Sequence, residues 1–367
     1  MHKVIACVAL SVLIMMAESP AQSTLAPLRV AIVGLVHGHV SGFLGPALKR
    51  SDIRIVGIAE PDQQLAQRYA TEFNLEPHLL YSDIESMLAK VHPQALLVYT
   101  DTRDHRRVVE VAARYHLPVM MEKPMAVSLE DALAIKQAAD TAHIPVLVNY
   151  ETTWYRSNTA VYQLVREGTL GDIRKVVVHD GHQGPNEINV APEFLAWLTD
   201  PARNGAGALF DFGCYGADLM TWLMNGEAPI TVTAVTQQIK PEIYPRVDDE
   251  ATIILEYPKA QAILQASWNW PFDRKDMEVY GATGQGITVK RDDLRVRRKG
   301  DDQEKLEPAP MLSPPYNDPI SYLIAVVSGK IKPSGLSALD TNVTVVRILD
   351  AARESAKTGR TVRLADR

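Results

Sequence analysis

The strongest constraint on the fold is an alternation of short apolar runs with longer polar stretches between Leu28 and about Tyr150. The apolar runs are RVAIVG, IRIVGIAE, ALLVYT, LPVMMEKP and IPVLVNY. The stretches between them, which have helix-like patterns, are QQLAQRYATEF, IESMLAK, RRVVEVAARYH and SLEDALAIKQAADTAH. Runs that are apolar throughout are typical of strands covered on both faces. Because strands that alternate with helices form right-handed βαβ units, we predict a doubly wound, mostly parallel α/β sheet.

After about Glu151 the pattern changes to strand-like runs in which apolar and polar residues alternate. A helix that ends at Gly168 comes first, and the runs that follow are IRKVVVHDG, ITVTAVTQQ, EATIILEY, AQAILQASWNW, DMEVYGA and GITVKR. Such alternation is typical of antiparallel strands with one face toward solvent or a ligand. One helix is predicted over residues 205–224, and two more near residues 319–327 and 338–357. The second half is therefore predicted to be an α+β domain with a mainly antiparallel open sheet.

The composition is that of a globular protein with two domains. The 367 residues are enough for two separate cores. A hydrophobic content of 46% and a charged content of 22% are ordinary for soluble domains. The net charge of −6 argues against a general role in binding nucleic acid or anionic membranes.

The first 23 residues have the pattern of a secretory signal. Lys3 precedes an apolar stretch over Val4–Ala17, and small residues follow up to Ser23. The alternative is a retained membrane anchor, but the stretch is short for a span of about 20 residues. We predict cleavage after Ser23 and a periplasmic or secreted protein with no membrane association. Cleavage removes Cys7 and leaves only Cys214, which excludes an internal disulfide.

The first apolar run continues into AIVGLVHGHV, where a dinucleotide-binding strand–turn–helix would carry the glycine pattern G-x-G-x-x-G. Gly34 fits the first position, whereas Val36 and His39 occupy the second and third, and Gly38 lies one residue early for the third. In such a unit the second glycine lets the backbone approach the pyrophosphate at the helix N-terminus. We expect the side chain of Val36 to crowd that approach. The close contact between backbone and pyrophosphate is then expected at Gly38 instead. His37 and His39 are expected to add hydrogen-bond donors for an anionic ligand.

A carboxylate ends the second apolar run. Glu60 lies 26 residues after Gly34 (60 − 34). In dinucleotide-binding folds an acidic residue roughly 20 residues beyond the turn accepts hydrogen bonds from the adenosine ribose. Because a carboxylate repels a 2′-phosphate, this residue favours NAD over NADP. The alternative is a surface acid at a strand end.

Two further segments carry side chains suited to proton transfer. In MEKPM, Lys123 follows an apolar run at the edge where α/β sheets bind ligands, and Pro124 stiffens the turn. In GAGALFDFGCYGADLMTWL, helical spacing places Asp211, Tyr215 and Asp218 on one face. A carboxylate beside a phenol suits proton transfer at an alcohol. The alternatives are an exposed turn lysine and an ordinary acid in a first helical turn.

The histidines do not mark a complete metal site. His37 with His39, and His179 with His182, each supply two ligands, but the sequence shows no third ligand for either pair. We therefore predict no metal. His105, in TDTRDH, is expected near a cofactor instead.

Together, these segments resemble the Gfo/Idh/MocA oxidoreductase family, which includes glucose–fructose oxidoreductase and inositol dehydrogenase. The most specific marks are MEKP after a strand and then W…GAGALFDFGCYGADL. Members typically carry E-K-P and then G-G-G-x-L-x-D-x-G-x-H/Y-x-x-D. The closing ARESAKTGRTVRL also resembles the family's last helix. The resemblance implies a Rossmann domain over residues 24–150 and an α/β domain over 151–367 whose open sheet often forms oligomer interfaces, hence a homo-oligomer.

The resemblance also implies roles for individual residues. Lys123, Asp211 and Tyr215 match the family's catalytic group. Contacts to the cofactor are implied for Thr100, His105, Glu122, Lys123 and Trp197. The sequence departs from the family in its altered glycine turn and in ETTWYR, which replaces an arginine-bearing run.

The leading hypothesis is hydride transfer between bound NAD and a secondary alcohol of a sugar or polyol. Tyr215 would take the hydroxyl proton, and Lys123 would lower the pKa of the phenol, which is about 10 when unperturbed. Because an exported protein meets little free NAD, we expect the cofactor to be held tightly and recycled, either between two sugars or during NAD-dependent glycoside cleavage. A hypothesis of another class is an exported sugar-binding protein that has lost its cofactor.

Overall fold

The first half of the chain forms a six-stranded parallel sheet with helices on both faces. The computed structural model describes residues 26–366. The sheet has the order β3-β2-β1-β4-β5-β6, and all its pairings are parallel. Its strands are β1 (Leu28–Val33), β2 (Ile53–Ala59), β3 (Leu80–Tyr81), β4 (Ala95–Val98), β5 (Val119–Glu122) and β6 (Val146–Asn149). The helices between them are α1 (His39–Ala47), α2 (Gln63–Phe73), α3 (Ile84–Leu88), α4 (His105–Arg114) and α5 (Leu129–Ala142).

This arrangement confirms the predicted doubly wound sheet. Each of the five predicted apolar runs matches one of its strands to within one residue at the strand's start. Strand β3 was not predicted, because two residues are too few to show a periodic pattern. The Ser128 side chain accepts a hydrogen bond from the amide of Asp131 at 3.1 Å, and α5 begins at the residue after this cap.

The second half forms a nine-stranded sheet in the order β14-β13-β12-β11-β7-β10-β9-β8-β15. Only β7 and β10 pair in parallel among these strands, so the predicted mainly antiparallel sheet is confirmed. The strands are β7 (Ile173–Gly181), β8 (Thr231–Gln237), β9 (Glu250–Glu256), β10 (Gln261–Ser267), β11 (Arg274–Gly281), β12 (Gln285–Val289), β13 (Asp293–Arg297), β14 (Lys305–Pro308) and β15 (Val362–Arg363). The helices are α6 (Arg156–Arg166), α7 (Pro192–Leu198), α8 (Pro201–Asn204), α9 (Ala208–Asp211), α10 (Gly213–Leu223), α11 (Pro319–Val327) and α12 (Leu339–Thr358).

The single helix predicted over residues 205–224 is wrong, because this segment forms the two helices α9 and α10, which meet at Phe212. The backbone carbonyl of Asp211 accepts a hydrogen bond from Lys123 Nζ at 3.0 Å. The amide of Tyr215 donates instead to the carbonyl of Phe212 at 3.1 Å. A lysine from the first half of the chain thus takes a carbonyl that a continuous helix would use, which spacing along the segment cannot reveal.

The C-terminal helices join the two sheets. On one face of the first sheet, Ile320 and Leu323 of α11 belong to the same apolar cluster as Ile32 of β1. Helix α12 contacts α5 of the first half as well as α10 and β8 of the second half. This packing holds the carboxyl edge of the first sheet against the second half.

The membrane and export predictions concern mainly the start of the chain. No helix within residues 26–366 combines the length and apolar character needed to cross a membrane. The predicted signal over residues 1–23 lies outside the described residues.

Candidate active site

Two adjoining cavities lie at the carboxyl edge of the first sheet. The smaller cavity, of about 390 Å³, is lined among others by Lys123, His182, Asp211, Tyr215 and Lys275. The larger cavity, of about 630 Å³, runs along α1 and is lined among others by Phe43, Tyr99, Glu122, Asn149 and Trp154. Both are bordered by residues at the start of α1, namely Gly38, His39 and Ser41.

A buried ion pair forms the floor of the smaller cavity. Lys123 Nζ lies 2.5 Å from Asp211 Oδ1, and Asp211 Oδ2 accepts a hydrogen bond from Trp268 Nε1 at 3.0 Å. Burial alone would lower the pKa of Lys123, but the charge of Asp211, its hydrogen bond and the nearby Cys214 and Glu122 together raise that pKa. Burial likewise opposes ionisation of Asp211, yet the ammonium of Lys123 holds its pKa below the usual value. Both groups are therefore charged near neutral pH.

Tyr215 lies beside this pair with only 1% of its surface exposed. The Nζ atom of Lys123 is 5.0 Å from the centroid of its ring. Burial raises the pKa of Tyr215 well above its usual value, and nearby acidic groups add to the rise. The net shift is opposite to the expected lowering by Lys123, because desolvation of the phenolate outweighs the attraction of neighbouring cations.

Three side chains that sequence reasoning did not place in an active site also line the cavities. Lys275, on β11, forms an ion pair of 2.5 Å with Glu151, which follows β6. His182 follows β7, and its Nδ1 accepts a hydrogen bond from the amide of Gly184 at 2.9 Å. Burial lowers the pKa of His182, so this ring is neutral near pH 7. Their one signal in the sequence is a position on, or just after, a predicted strand.

The altered glycine turn has two positions that require glycine. Gly34 has a φ of +83°, in the region that favours glycine. Gly38 is the N-cap of α1, and a Cβ there would lie 2.8 Å from the ring of Phe194. Val36 borders neither cavity, and its carbonyl accepts a hydrogen bond from Trp197 Nε1 at 3.1 Å. The turn therefore presents Gly38, and not Val36, to the space where a ligand would bind.

Replacement of Gly34 by alanine should destabilise the fold. A Cβ at this position would lie 2.7 Å from the backbone nitrogen of Thr100, and the positive φ adds strain. We expect Gly34→Ala to lower the free energy of unfolding by about 1–3 kcal/mol in urea denaturation. Gly42→Ala on α1 is the matched control, because its Cβ would meet nothing within 4 Å. Equal unfolding midpoints for the two variants would contradict this account of the turn.

The two histidines of the turn have different surroundings. His37 is 1% exposed, and its ring centroid lies 4.9 Å from that of Phe194. Burial lowers the pKa of His37 well below its usual value, so it carries no charge toward an anion. His39 is more exposed, and its Nδ1 lies 2.9 Å from Glu122 Oε2. Of the two, only His39 borders the cavities, next to the place where a ligand phosphate is expected.

Glu60 is buried behind the turn and holds it in place. Its Oε2 accepts a hydrogen bond from the amide of Leu35 at 2.7 Å, and its Oε1 accepts one from the amide of Asp62 at 2.9 Å. Burial raises the pKa of Glu60 despite these two bonds. Because each carboxylate oxygen can accept a second hydrogen bond, contact with a ribose remains a prediction.

Three other predicted cofactor residues support the wall of the site and border neither cavity. Thr100 lies directly under Gly34. His105 is fully buried, and its Nδ1 lies 3.2 Å from the carbonyl of Met125, two residues after Lys123. Trp197, on α7, is 1% exposed and binds the turn through Val36. These three residues contact the backbone that surrounds the cavities, and direct contact between them and a cofactor stays a prediction.

The structure supplies a third possible metal ligand for one of the two histidine pairs, His37 with His39, but not for His179 with His182 among residues 26–366. In the described part of the chain, two groups bring three ligand atoms within 4.8 Å of one another: His37, His39 and Glu122, and His179, Asp276 and Glu278. In the first group, His37 Nδ1 already accepts a hydrogen bond from the amide of His39 at 3.3 Å. In the second, the guanidinium of Arg274 lies 3.2 Å from His179 Nδ1 and binds Asp276. Side chains of both groups therefore take part in hydrogen bonds within the protein, and the absence of a metal remains a prediction.

The smaller cavity and the turn fit a dinucleotide. Gly38 has no side chain to fill the space in front of α1, where backbone amides suit a pyrophosphate. The cavity extends from Tyr69 on α2, past Gly38 and Ser41, to Lys123. It therefore connects the side of the sheet near Glu60 with the buried ion pair.

Comparison with known proteins agrees with this geometry. A family model described as "Oxidoreductase family, NAD-binding Rossmann fold" matches residues 28–150, and one described as "GFO/IDH/MocA C-terminal domain" matches residues 159–286. The D-apiose dehydrogenase of Rhizobium rhizogenes is 24% identical over 84% of this chain and 89% of its own length. The scyllo-inositol 2-dehydrogenase (NADP(+)) of Bacillus subtilis is 25% identical over 67% of this chain and 72% of its own.

Solved structures share the fold. An oxidoreductase from Agrobacterium radiobacter, in complex with NAD⁺, L-tartaric acid and magnesium, has a TM-score of 0.76 at 21% identity and covers 92% of this chain and 99% of its own. The aldose–aldose oxidoreductase of Caulobacter crescentus, complexed with glycerol, has a TM-score of 0.75 at 23% identity with the same coverage. At these identities the likeness establishes the architecture alone.

Proposed function

Since the chain belongs to the Gfo/Idh/MocA family of NAD(P)-dependent oxidoreductases, we propose that it oxidises a secondary alcohol of a sugar or polyol with NAD that stays bound and is recycled. The observation that carries this proposal is the smaller cavity, which joins the Gly38 turn to Lys123, Asp211 and Tyr215. Family membership makes the chain an enzyme and does not support the hypothesis of a sugar-binding protein without catalysis.

Lys123 and Tyr215 would have different roles at the substrate oxygen. Bound NAD would supply the hydride acceptor. Lys123, held by Asp211, would donate a hydrogen bond to the substrate oxygen and stabilise negative charge there. Tyr215 would exchange a proton with the same oxygen, taking it during oxidation and returning it during reduction.

Oxidation and reduction should depend on pH in opposite directions. Oxidation requires Tyr215 as phenolate, and the raised pKa leaves little phenolate at neutral pH. We therefore expect the initial rate of sugar oxidation to rise with pH, and carbonyl reduction to stay level and then fall at higher pH. Rates in both directions across a pH series would measure this. Tyr215→Phe should lose both the rise of the oxidation rate and the fall of the reduction rate with pH. Unchanged pH–rate profiles in that variant would exclude Tyr215 as the proton-transfer group.

The preference for NAD over NADP rests on Glu60. Its carboxylate lies at the end of β2, where it would repel a 2′-phosphate, although the relatives include NADP-dependent enzymes. Titration of purified protein with each cofactor would test the preference. Tighter binding of NADP than of NAD would overturn it.

Tight retention and recycling of NAD rest on the predicted export signal, since a protein outside the cytoplasm has little access to free cofactor. Mass spectrometry of small molecules released from the denatured mature protein would test retention. Recovered NAD, with substrate conversion but no net NADH, would support the recycling enzyme. Stoichiometric NADH from added NAD would indicate a simple dehydrogenase instead.

A further inference from the structure

Tyr215 lies beside two lysine–carboxylate pairs, and only one of them belongs to the predicted catalytic group. The second pair is Lys275 with Glu151, whose Nζ and Oε2 atoms are 2.5 Å apart. The Nζ atom of Lys275 is 4.8 Å from the centroid of the Tyr215 ring, compared with 5.0 Å for Lys123. Lys275 and Tyr215 border the same cavity. The ring of Tyr215 is therefore as close to the second cation as to the first.

The fold fixes the position of both members of this pair. Lys275 lies on β11 directly opposite Asp180 of β7, so their side chains share the face turned toward the site. Glu151 lies just beyond β6, in the run that departs from the family pattern, and the hydroxyl of Tyr155 donates to its Oε1 at 2.7 Å. Both carboxyl oxygens of Asp180 lack a partner among residues 26–366. Burial raises the pKa of Asp180 well above its usual value, so Glu151 is the carboxylate that pairs with Lys275.

We propose that Lys275 and Glu151 form a positioning pair that sets the proton affinity of Tyr215 in opposite senses. The ammonium of Lys275 stabilises the phenolate of Tyr215, and the carboxylate of Glu151 destabilises it. The inference rests on the proposed function, because it takes Tyr215 as the proton-transfer group. Both residues are assigned a positioning role and act through Tyr215.

Other charged or titratable groups also face Tyr215. They come from its own helix, the adjoining helix, the end of β5, the residue after β6 and the loop after β7, and are Cys214, Asp211, Glu122, Lys123, Tyr150 and His182. Among them, the carboxyl group of Glu151 stays ionised over the pH range of the assay. Burial alone would raise the pKa of Glu151, yet Lys275 and the hydrogen bond from Tyr155 lower it to about 2.

The test measures the ionisation of the phenol at position 215 directly. Tyr215 is replaced by 3,5-difluorotyrosine, whose more acidic phenol titrates within the stable range of the protein, and ionisation is followed by fluorine NMR without cofactor or substrate. We expect Lys275→Met to lower the acid dissociation constant of this phenol about tenfold and Glu151→Gln to raise it about tenfold. Lys275→Arg, which keeps the charge, should retain most of the original value.

Lys175→Met on β7 is the matched control, because Lys175 binds Gln261 on the neighbouring strand and borders neither cavity. It should leave the titration unchanged. Folding of each variant is checked by thermal denaturation. Folded Lys275→Met and Glu151→Gln proteins whose phenol titrates unchanged, or shifts in the same direction, would overturn the proposal. Because the titration needs no turnover, this failure is distinct from failure of the proposed function, which would appear as no reaction between NAD and any sugar or polyol.

Discussion

Lys123→Met is expected to reduce turnover by about 10²–10⁴-fold while NAD still binds. Lys123 follows β5 and lines the smaller cavity. Its Nζ atom lies 2.5 Å from Asp211 Oδ1. Methionine fills a similar volume without the charge or the hydrogen-bond donor. The substrate oxygen would then lose its donor, and Tyr215 would lose one of the two cations that favour its phenolate. Steady-state turnover and NAD titration of the same preparation separate the two effects.

Stability must be measured in the same experiment, because Lys123→Met leaves the carboxylate of Asp211 buried with Trp268 as its one hydrogen-bond donor within residues 26–366. Breaking a buried ion pair by removing one partner costs about 3–5 kcal/mol. The double variant Lys123→Met/Asp211→Asn removes that uncompensated charge. It should recover much of the lost stability and none of the turnover. Near-wild-type turnover in Lys123→Met, or recovery of activity in the double variant, would exclude Lys123 from the chemistry.

The sequence predicted this pair through motifs that lie far apart. MEKP follows a strand and supplies a lysine, and GAGALFDFGCYGADL supplies an acid and a phenol. The sequence therefore predicts the chemistry of these residues but not the contact between them. The reason given for bringing Asp211 and Tyr215 together was incorrect, since they do not share one continuous helix. At the break, the carbonyl of Asp211 accepts a hydrogen bond from Lys123, and the amide of Tyr215 donates to Phe212 instead. Local periodicity cannot contain a contact made by a residue 88 positions away.

The second pair shows where prediction from the sequence ends. Lys275 and Glu151 are 124 residues apart, and each stands in a stretch with no chemical motif. Their contact depends on the register between β7 and β11, in which a slip of one residue would turn Lys275 to the other face. Alternation predicted these strands but not their partners. Parallel pairing of β7 with β10, and antiparallel pairing with β11, are decided by packing over the whole domain.

The glycine turn was predicted in position but not in detail. Its strand, its helix and the requirement for glycine at Gly34 follow from the sequence. Helix α7, which was not predicted, places Phe194 against Gly38 and Trp197 against the carbonyl of Val36. The turn is therefore shaped by a segment about 160 residues further along the chain.

This contact leads to the second large expected effect: Gly38→Ala should weaken NAD binding at least tenfold, or about 1.4 kcal/mol. A Cβ at Gly38 would lie 2.8 Å from Cδ1 of Phe194, so either the ring moves into the cavity or the N-terminus of α1 moves away. Both changes reduce the space in which a pyrophosphate would meet the backbone amides. Calorimetric titration with NAD measures the loss.

Val36→Gly is the matched comparison, because it restores the usual second glycine of the motif. Val36 is half-buried, packs against the apolar clusters on both faces of the first sheet and borders neither cavity. We expect its NAD affinity to change less than about threefold, with some loss of stability from the missing side chain. Adding Phe194→Ala to Gly38→Ala should restore affinity if crowding by the ring is the cause. A tenfold gain in affinity for Val36→Gly would instead place the close approach at the usual position, because the valine would then have been the obstacle.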